Sequence, residues 1–230
     1  MVCLRGSVRN ILGSGASGFL GRRVIEALLQ RGWRTDRAGQ QRTLKRIVAC
    51  DVGPLSGIDD GGVQVVCGDI ADPKVLDTLV SAETDSIFHL AAVVSSQAEQ
   101  HFELGMRINF AATHHLLERI RSLGTCPKWV MTSSVAVFGG ELPEQVEDHQ
   151  VWAPQSSYGT QKAMNDLLLA DYSRRGFVDG RSQRMPTIVV RPGKPNMAAS
   201  SFASGIIREP LNGQESVCPV PLDTRLWLMS

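Results

Sequence analysis

Short apolar runs recur along this chain, and stretches with helical spacing follow them. "RIVACDV", "VQVVCGDI", "DSIFHLAAVV" and "KWVMTSSVAVFG" are short and bounded by turn residues, so they read as strands. "VRNILG" is a weaker first strand and "PTIVVRPG" a sixth. Between them, "GFLGRRVIEALLQRG", "DPKVLDTLVSA", "MRINFAATHHLLERIRSLG" and "SSYGTQKAMNDLLLADYSRRG" place apolar residues at helical spacing. Ser156 or Ser157 is suited to cap the last of these helices, and Gly176 to follow its end. Strand then helix, repeated with continuously apolar strands, requires a parallel sheet covered on both faces. Right-handed crossovers make that an α/β, doubly wound fold.

The regular pattern stops after Arg191. Residues 192–230 are rich in Ser, Pro and Gly and read as the opening of a smaller lobe, so the chain divides into 1–191 and 192–230. A net charge of +1 offers no field for nucleic acid. No segment approaches the length of a membrane span, and "MVCLRGSVRN" lacks the apolar core of a secretory signal. The cysteines are five, scattered, and without a Cys-x-x-Cys pair, as expected of reduced thiols in a cytoplasmic protein. His114 and His115 are adjacent, but neighbours on a helix point roughly 100° apart, so no metal site is expected there.

"GSGASGFLG" follows the first strand and opens the first helix. Gly15, Gly18 and Gly21 are spaced by three; Gly13, Gly15 and Gly18 also satisfy G-x-G-x-x-G. Such a turn lets a diphosphate approach backbone N–H groups at the positive end of a helix. Asp51 ends the second strand, where an acid can accept hydrogen bonds from ribose hydroxyls and repel a 2′-phosphate, favouring NAD over NADP. It lies beyond the usual interval of about twenty residues. The insertion "GWRTDRAGQQRTLKR" accounts for the difference.

Tyr158 and Lys162 stand four apart and share one face of a helix. A nearby ammonium is expected to lower the phenol from its ordinary value of about 10. Tyr158 could then take a proton from a substrate hydroxyl while a hydride leaves the same carbon. Lys162 could also hold the nicotinamide ribose. Ser133 and Ser134 end the fifth strand, at the edge where doubly wound folds bind ligands, and a hydroxyl there can orient the substrate oxygen.

Together, "GASGFLG", "CDV", "GDI", "FHLAA", "RIN", "TSSVAVFG", "YGTQK" and "VVRPG" resemble the extended short-chain dehydrogenase/reductase family, also called the NAD-dependent epimerase/dehydratase family. The resemblance implies Ser134, Tyr158 and Lys162 as the catalytic set, with Asn109 as an active-site helix residue. It implies NAD contacts at Gly15, Gly18, Phe19, Leu20, Asp51, Asp69, Ile70, Leu90, Ala91, Ala92, Ser133, Tyr158, Lys162 and Pro192. It also implies a homodimer packed through the helices that contain Asn109 and Tyr158.

Dehydratases and decarboxylases of the family carry acids just after the strand-five hydroxyl. Val135 and Ala136 stand there and cannot move a proton, which leaves dehydrogenase, reductase or epimerase chemistry. "AAVVSSQAE", "SSVAVFGGELPE", "DYSRRGFVDG", "TIVVRPGKPNMAASSFASGIIREPL" and "VCPVP" resemble the members that oxidise the C2 hydroxyl of a small sugar acid with NAD. Arg191, Lys194, Asn196, Ser200, Ser201, Arg208 and Arg225 then offer groups for the carboxylate and hydroxyls, with Asn196, Ser200, Arg208 and Arg225 as the chosen substrate contacts beside Ser134 and Tyr158. Family chains continue beyond the point matching Ser230, so the substrate lobe is expected to be incomplete. Two other readings stay open: a nucleotide-sugar epimerase, and an NAD-binding module without turnover.

Overall fold

In the computed structural model, which describes residues 10–36, 39–191 and 198–230, strand and helix alternate as the apolar runs require. β1 (Asn10–Ser14) leads through the glycine turn into α1 (Phe19–Arg31). A hairpin of β2 (Trp33–Thr35) and β3 (Gln41–Thr43) comes next, then β4 (Arg46–Asp51) and β5 (Val63–Cys67). After α2 (Pro73–Leu79) and β6 (Thr84–His89) come the short helices α3 (Ser95–Gln100) and α4 (Phe102–Gly105). A π-helical turn at Met106–Ala111 runs into α5 (Ala112–Leu123). β7 (Lys128–Ser134), α6 (Ser157–Arg174) and β8 (Asp179–Met185) complete the large layer, followed by β9 (Thr187–Ile188), α7 (Phe202–Leu211) and β10 (Leu228–Met229).

The main sheet runs β5-β4-β1-β6-β7-β8, with every neighbouring pair parallel. Chain order reverses between β1 and β6. Ligands of doubly wound folds bind at that switch point, beyond the C-terminal ends of the strands. Leu12, Val48, Ile87, Trp129 and Met131 pack with Leu116, Leu117, Ile120 and Leu169 in one core. Ile25 of α1 covers Ile47 and Ala49 on the other face. The two helical layers thus fix both faces of the sheet and leave its C-terminal edge for the site.

The sixth strand differs from the expectation. "PTIVVRPG" does not join the main sheet; β8, "DGRSQRM", takes that place. Pro186 has no N–H to continue the ladder. Thr187 and Ile188 instead pair with Leu228 and Met229. β8 is an edge strand paired on one side only, which lets it carry polar residues that a buried central strand could not. The expected division after 191 therefore falls beyond the first strand of the small sheet.

The insertion after α1 is the antiparallel hairpin. Arg34 forms a buried ion pair with Asp85, and Lys128 Nζ donates to the Thr35 and Asp36 carbonyls, each at 2.9 Å. Asp85 and Lys128 stand at strand beginnings, so the hairpin is pinned at the edge opposite the site. No helix among the described residues is long and apolar enough to cross a membrane.

Candidate active site

The glycine turn follows from close approach. Gly15 has φ +71°, and a Cβ there would lie 2.7 Å from the Ala91 nitrogen. A Cβ on Gly21 would fall 2.0 Å from the Gly15 carbonyl oxygen. Of the two glycine triplets, Gly15, Gly18 and Gly21 are therefore the set that shapes the turn. No side chain caps α1, and its first turn carries no acid. The N–H groups of Phe19 and Leu20 lie in that first turn, where a helix offers them no carbonyl. Gly18 and Phe19 are exposed. A turn of this shape can cradle a diphosphate.

Asp51, at the end of β4, accepts from the Ser17 N–H at 2.9 Å and the Gly53 N–H at 3.3 Å, which fixes its carboxylate beside the turn. Asp69 accepts from the Ala71 N–H at 2.8 Å and from Arg107 at 2.6 Å. Ile70 is buried in the core, so only its backbone can face a ligand. Leu90 and Ala91 donate to Ser14 Oγ at 3.2 and 3.4 Å, joining the ends of β6 and β1. Ala92 follows, half-buried.

Ser14 also fixes the protonation of a histidine that the sequence reading left without a role. Because Ser14 Oγ accepts those two N–H groups, its own proton goes to His89 Nδ1 at 2.8 Å. Nε2 then carries the proton and faces Thr113 Oγ1 at 2.9 Å, and Thr113 donates to the Asn109 carbonyl at 2.8 Å. Burial, with Lys162 nearby, pushes His89 down to about 3 and keeps it neutral. A directed chain of hydrogen bonds thus joins the glycine-turn strand to the helix of Asn109.

Asn109 sits inside the scaffold. Its side chain accepts from the Val93 N–H at 2.7 Å and donates to the Val93 carbonyl at 3.1 Å and to Gln161 Oε1 at 2.7 Å. Its carbonyl accepts from Asn165 Nδ2 at 2.6 Å. Fastened on all sides, Asn109 holds the loop after β6 against α6. It lies in the π-helical turn, where the ladder of the expected single long helix is broken.

Strand alternation separates the two serines of β7. Ser133 points inward and donates to Asp166 Oδ2 at 2.9 Å, so its hydroxyl is committed and only its backbone is left for a cofactor. Ser134 points to the opposite side. Its Oγ accepts from the Ala136 N–H at 3.1 Å, and it also hydrogen-bonds Tyr158. α6 is capped by Ser156 and begins close to this loop because residue 159 is glycine. A Cβ at Gly159 would lie 2.2 Å from the Ala136 carbonyl oxygen. The sequence reading gave Gly159 no role, although a glycine within a helix beside the key tyrosine was the available signal.

Tyr158 and Lys162 share a face as expected, with Lys162 Nζ 5.5 Å from the tyrosine ring centroid. The expected acidification of the phenol is not what the structure gives. Burial pushes Tyr158 up to about 12, opposed only by the hydrogen bond with Ser134. The physical reason is the phenol's burial, and the Lys162 ammonium is engaged elsewhere: its Nζ donates to the Thr132 carbonyl at 2.7 Å. Burial also pushes Lys162 down to about 8, with Asp166 acting the other way.

The substrate contacts expected from the second lobe are less converged. Pro192 and Asn196, with Lys194, lie outside the described residues. Ser200 is half-buried in a 3₁₀ turn, tethered to α3 by the Ala199 N–H on Ser95 Oγ at 2.9 Å. Arg208 donates to the Arg191 carbonyl at 2.8 Å and pairs with Glu209, so its fork is already engaged. Arg225 is 84% exposed and stands 3.6 Å from Glu144. His114 stacks on Phe110 while His115 faces Asp77 at 4.0 Å. Among the described residues no cluster of three or more His, Cys, Asp or Glu side chains could hold a metal ion.

The family profile described as "NAD dependent epimerase/dehydratase family" matches residues 11–225. A D-erythronate dehydrogenase of Cupriavidus necator is 57% identical over 221 residues, covering 96% of this chain and 68% of the relative. A D-erythronate dehydrogenase of Haemophilus influenzae is 48% identical over 218 residues, 94% of this chain and 67% of the relative. A solved nucleoside-diphosphate-sugar epimerase of Agrobacterium tumefaciens is 42% identical with a TM-score of 0.84, covering 100% of this chain and 69% of that one. Cradle, strand-end acid and the Ser134–Tyr158–Lys162 cluster thus occur on a chain whose sequence and backbone both match one lineage: the chain belongs to the NAD-dependent epimerase/dehydratase family.

Proposed function

We propose that this chain catalyses the NAD-dependent oxidation of the C2 hydroxyl of a small sugar acid, D-erythronate to 2-keto-D-erythronate. The observation that carries the reading is the convergence of Ser134, Tyr158 and Lys162 at the sheet edge beside an open glycine cradle. The relatives named D-erythronate dehydrogenase supply the substrate. Bound NAD⁺ supplies the hydride acceptor and a positive charge beside the phenol.

In this reading the glycine turn and the first N–H groups of α1 take the diphosphate, and Asp51 takes the adenosine ribose. Lys162 holds the second ribose. Ser134, beside Tyr158, orients the C2 hydroxyl. Tyr158, as the phenolate that the positive charge of bound NAD⁺ favours, would take the hydroxyl proton as the C2 hydride leaves, so the carbon loses two electrons and the phenolate becomes the phenol. Val135 and Ala136 offer no second acid or base, in keeping with oxidation alone. A carboxylate anchor among Ser200, Arg208 and Arg225 belongs to the same reading. So do a main domain of 1–191, a homodimer through the helical segments containing Asn109 and Tyr158, and a cytoplasmic location. The exposed Leu167 on α6 and the free thiols of Cys50, Cys67, Cys126 and Cys218 support the last two.

Incubation with NAD⁺ and D-erythronate, read by NADH absorbance, tests the proposal. Steady NADH formation is expected. A second reading, nucleotide-sugar epimerisation, draws on the name of the 42% identical structure. It would instead convert a UDP-sugar without net NADH.

A further inference from the structure

α6 carries a third ionisable side chain in register with the pair. Asp166 stands one turn beyond Lys162 on the same face and is 5% exposed. Its Oδ2 accepts from Ser133 Oγ at 2.9 Å and from Arg184 Nε at 3.2 Å, and its Oδ1 accepts from Ser182. These partners come from β7 and β8. Arg184 is itself held by stacking 4.2 Å from the Trp152 ring centroid. One carboxylate therefore joins the helix of the catalytic pair to two strands.

Lys162 is 4% exposed, and its nitrogen donates to a neutral carbonyl, that of Thr132. A buried ammonium surrounded only by neutral dipoles tends to lose its proton. The ionisable groups around it are Tyr158 and Asp166 from α6, His89 from β6, and, through Asp166, Arg184 from β8. His89 is neutral and Tyr158 protonated. Asp166 is the anion that acts on the lysine.

We infer that Asp166 is a positioning residue for Tyr158 and Lys162: its carboxylate keeps Lys162 an ammonium inside the fold and, through Ser133, ties that charge to the strand carrying Ser134. Lose that carboxylate and a larger share of the lysine is neutral amine near neutral pH. The neutral form neither stabilises a phenolate nor holds a ribose as a cation. The inference rests on the reading of Lys162 given above, but its test does not require turnover.

The chain has five lysines, so carbon-13 labelling of the lysine ε-carbons allows Lys162 to be titrated by NMR in the full chain and assigned with Lys162→Met. Asp166→Asn is expected to lower the Lys162 midpoint by about one pH unit. Asp166→Glu is expected to restore it. Arg184→Gln removes a cation from the same carboxylate and is expected to raise the midpoint, a change of opposite sign that a merely structural role would not give. Should Asp166→Asn fail to fold, Arg184→Gln carries the test. An unmoved midpoint in Asp166→Asn, or a lowered one in Arg184→Gln, overturns the inference. An absence of NADH formation with intact lysine shifts would count against the proposed reaction and leave the role of Asp166 standing.

Discussion

A methyl group on Gly159 would sit 2.2 Å from the Ala136 carbonyl oxygen, and this contact sets how closely Tyr158 approaches Ser134. The obstacle is backbone, not a movable side chain, so Gly159→Ala must push α6 away from the end of β7. The hydrogen bond between Ser134 and Tyr158 is then lost. Turnover is expected to fall about a hundredfold, the scale of a displacement near 1 Å at a reacting group. Binding of NAD⁺, followed by calorimetry, should change far less, because the glycine cradle lies on β1 and α1.

The chain has two tyrosines, Tyr158 and Tyr172, and burial pushes both up to about 12. An ultraviolet titration of the protein alone should therefore show no tyrosinate through the range where a free phenol ionises, about pH 10. Added NAD⁺ places positive charge beside Tyr158 and is expected to bring one midpoint down. Tyr158→Phe should remove that component. A midpoint below 10 without NAD⁺ that disappears in Tyr158→Phe would mean that Lys162 acidifies the phenol by itself.

His89 stays neutral in the fold down to about pH 3, whereas in the unfolded chain it protonates near its ordinary value of 6.5. Its folded-state value is depressed. Its contribution to stability is therefore complete above 6.5 and is lost as the pH falls from 6.5 toward 3. Urea unfolding between pH 6 and 4.5 should show this as a slope of up to ~1.4 kcal/mol per pH unit, one proton's worth. His89→Asn is expected to flatten the slope by that amount.

Much of the architecture was legible because each cue had one physical meaning. Continuous apolar runs such as "RIVACD" became central strands, and the cluster at Tyr158 and Lys162 formed because four residues make one helical turn. β8 was not legible: an edge strand needs no apolar face, and "DGRSQRM" has none. The hairpin at 33–43 and the short helices α3 and α4 are held by tertiary contacts such as Arg34 with Asp85, which local patterning does not encode. The direction of the Lys162 ammonium was likewise invisible, since spacing puts two side chains on one face without saying where their ends go. Ser133 and Ser134 show the reverse. Alternation alone distinguishes an inward hydroxyl from one facing the site, once the strand's end is known.

The most direct test of the account is NADH formation by this chain and by Tyr158→Phe with NAD⁺ and D-erythronate, with NAD⁺ binding measured on both. Turnover by the parent chain, lost by at least a hundredfold in the variant while binding persists, is the expected result. Equal rates in the two proteins would contradict the assignment of Tyr158 as the group that takes the proton.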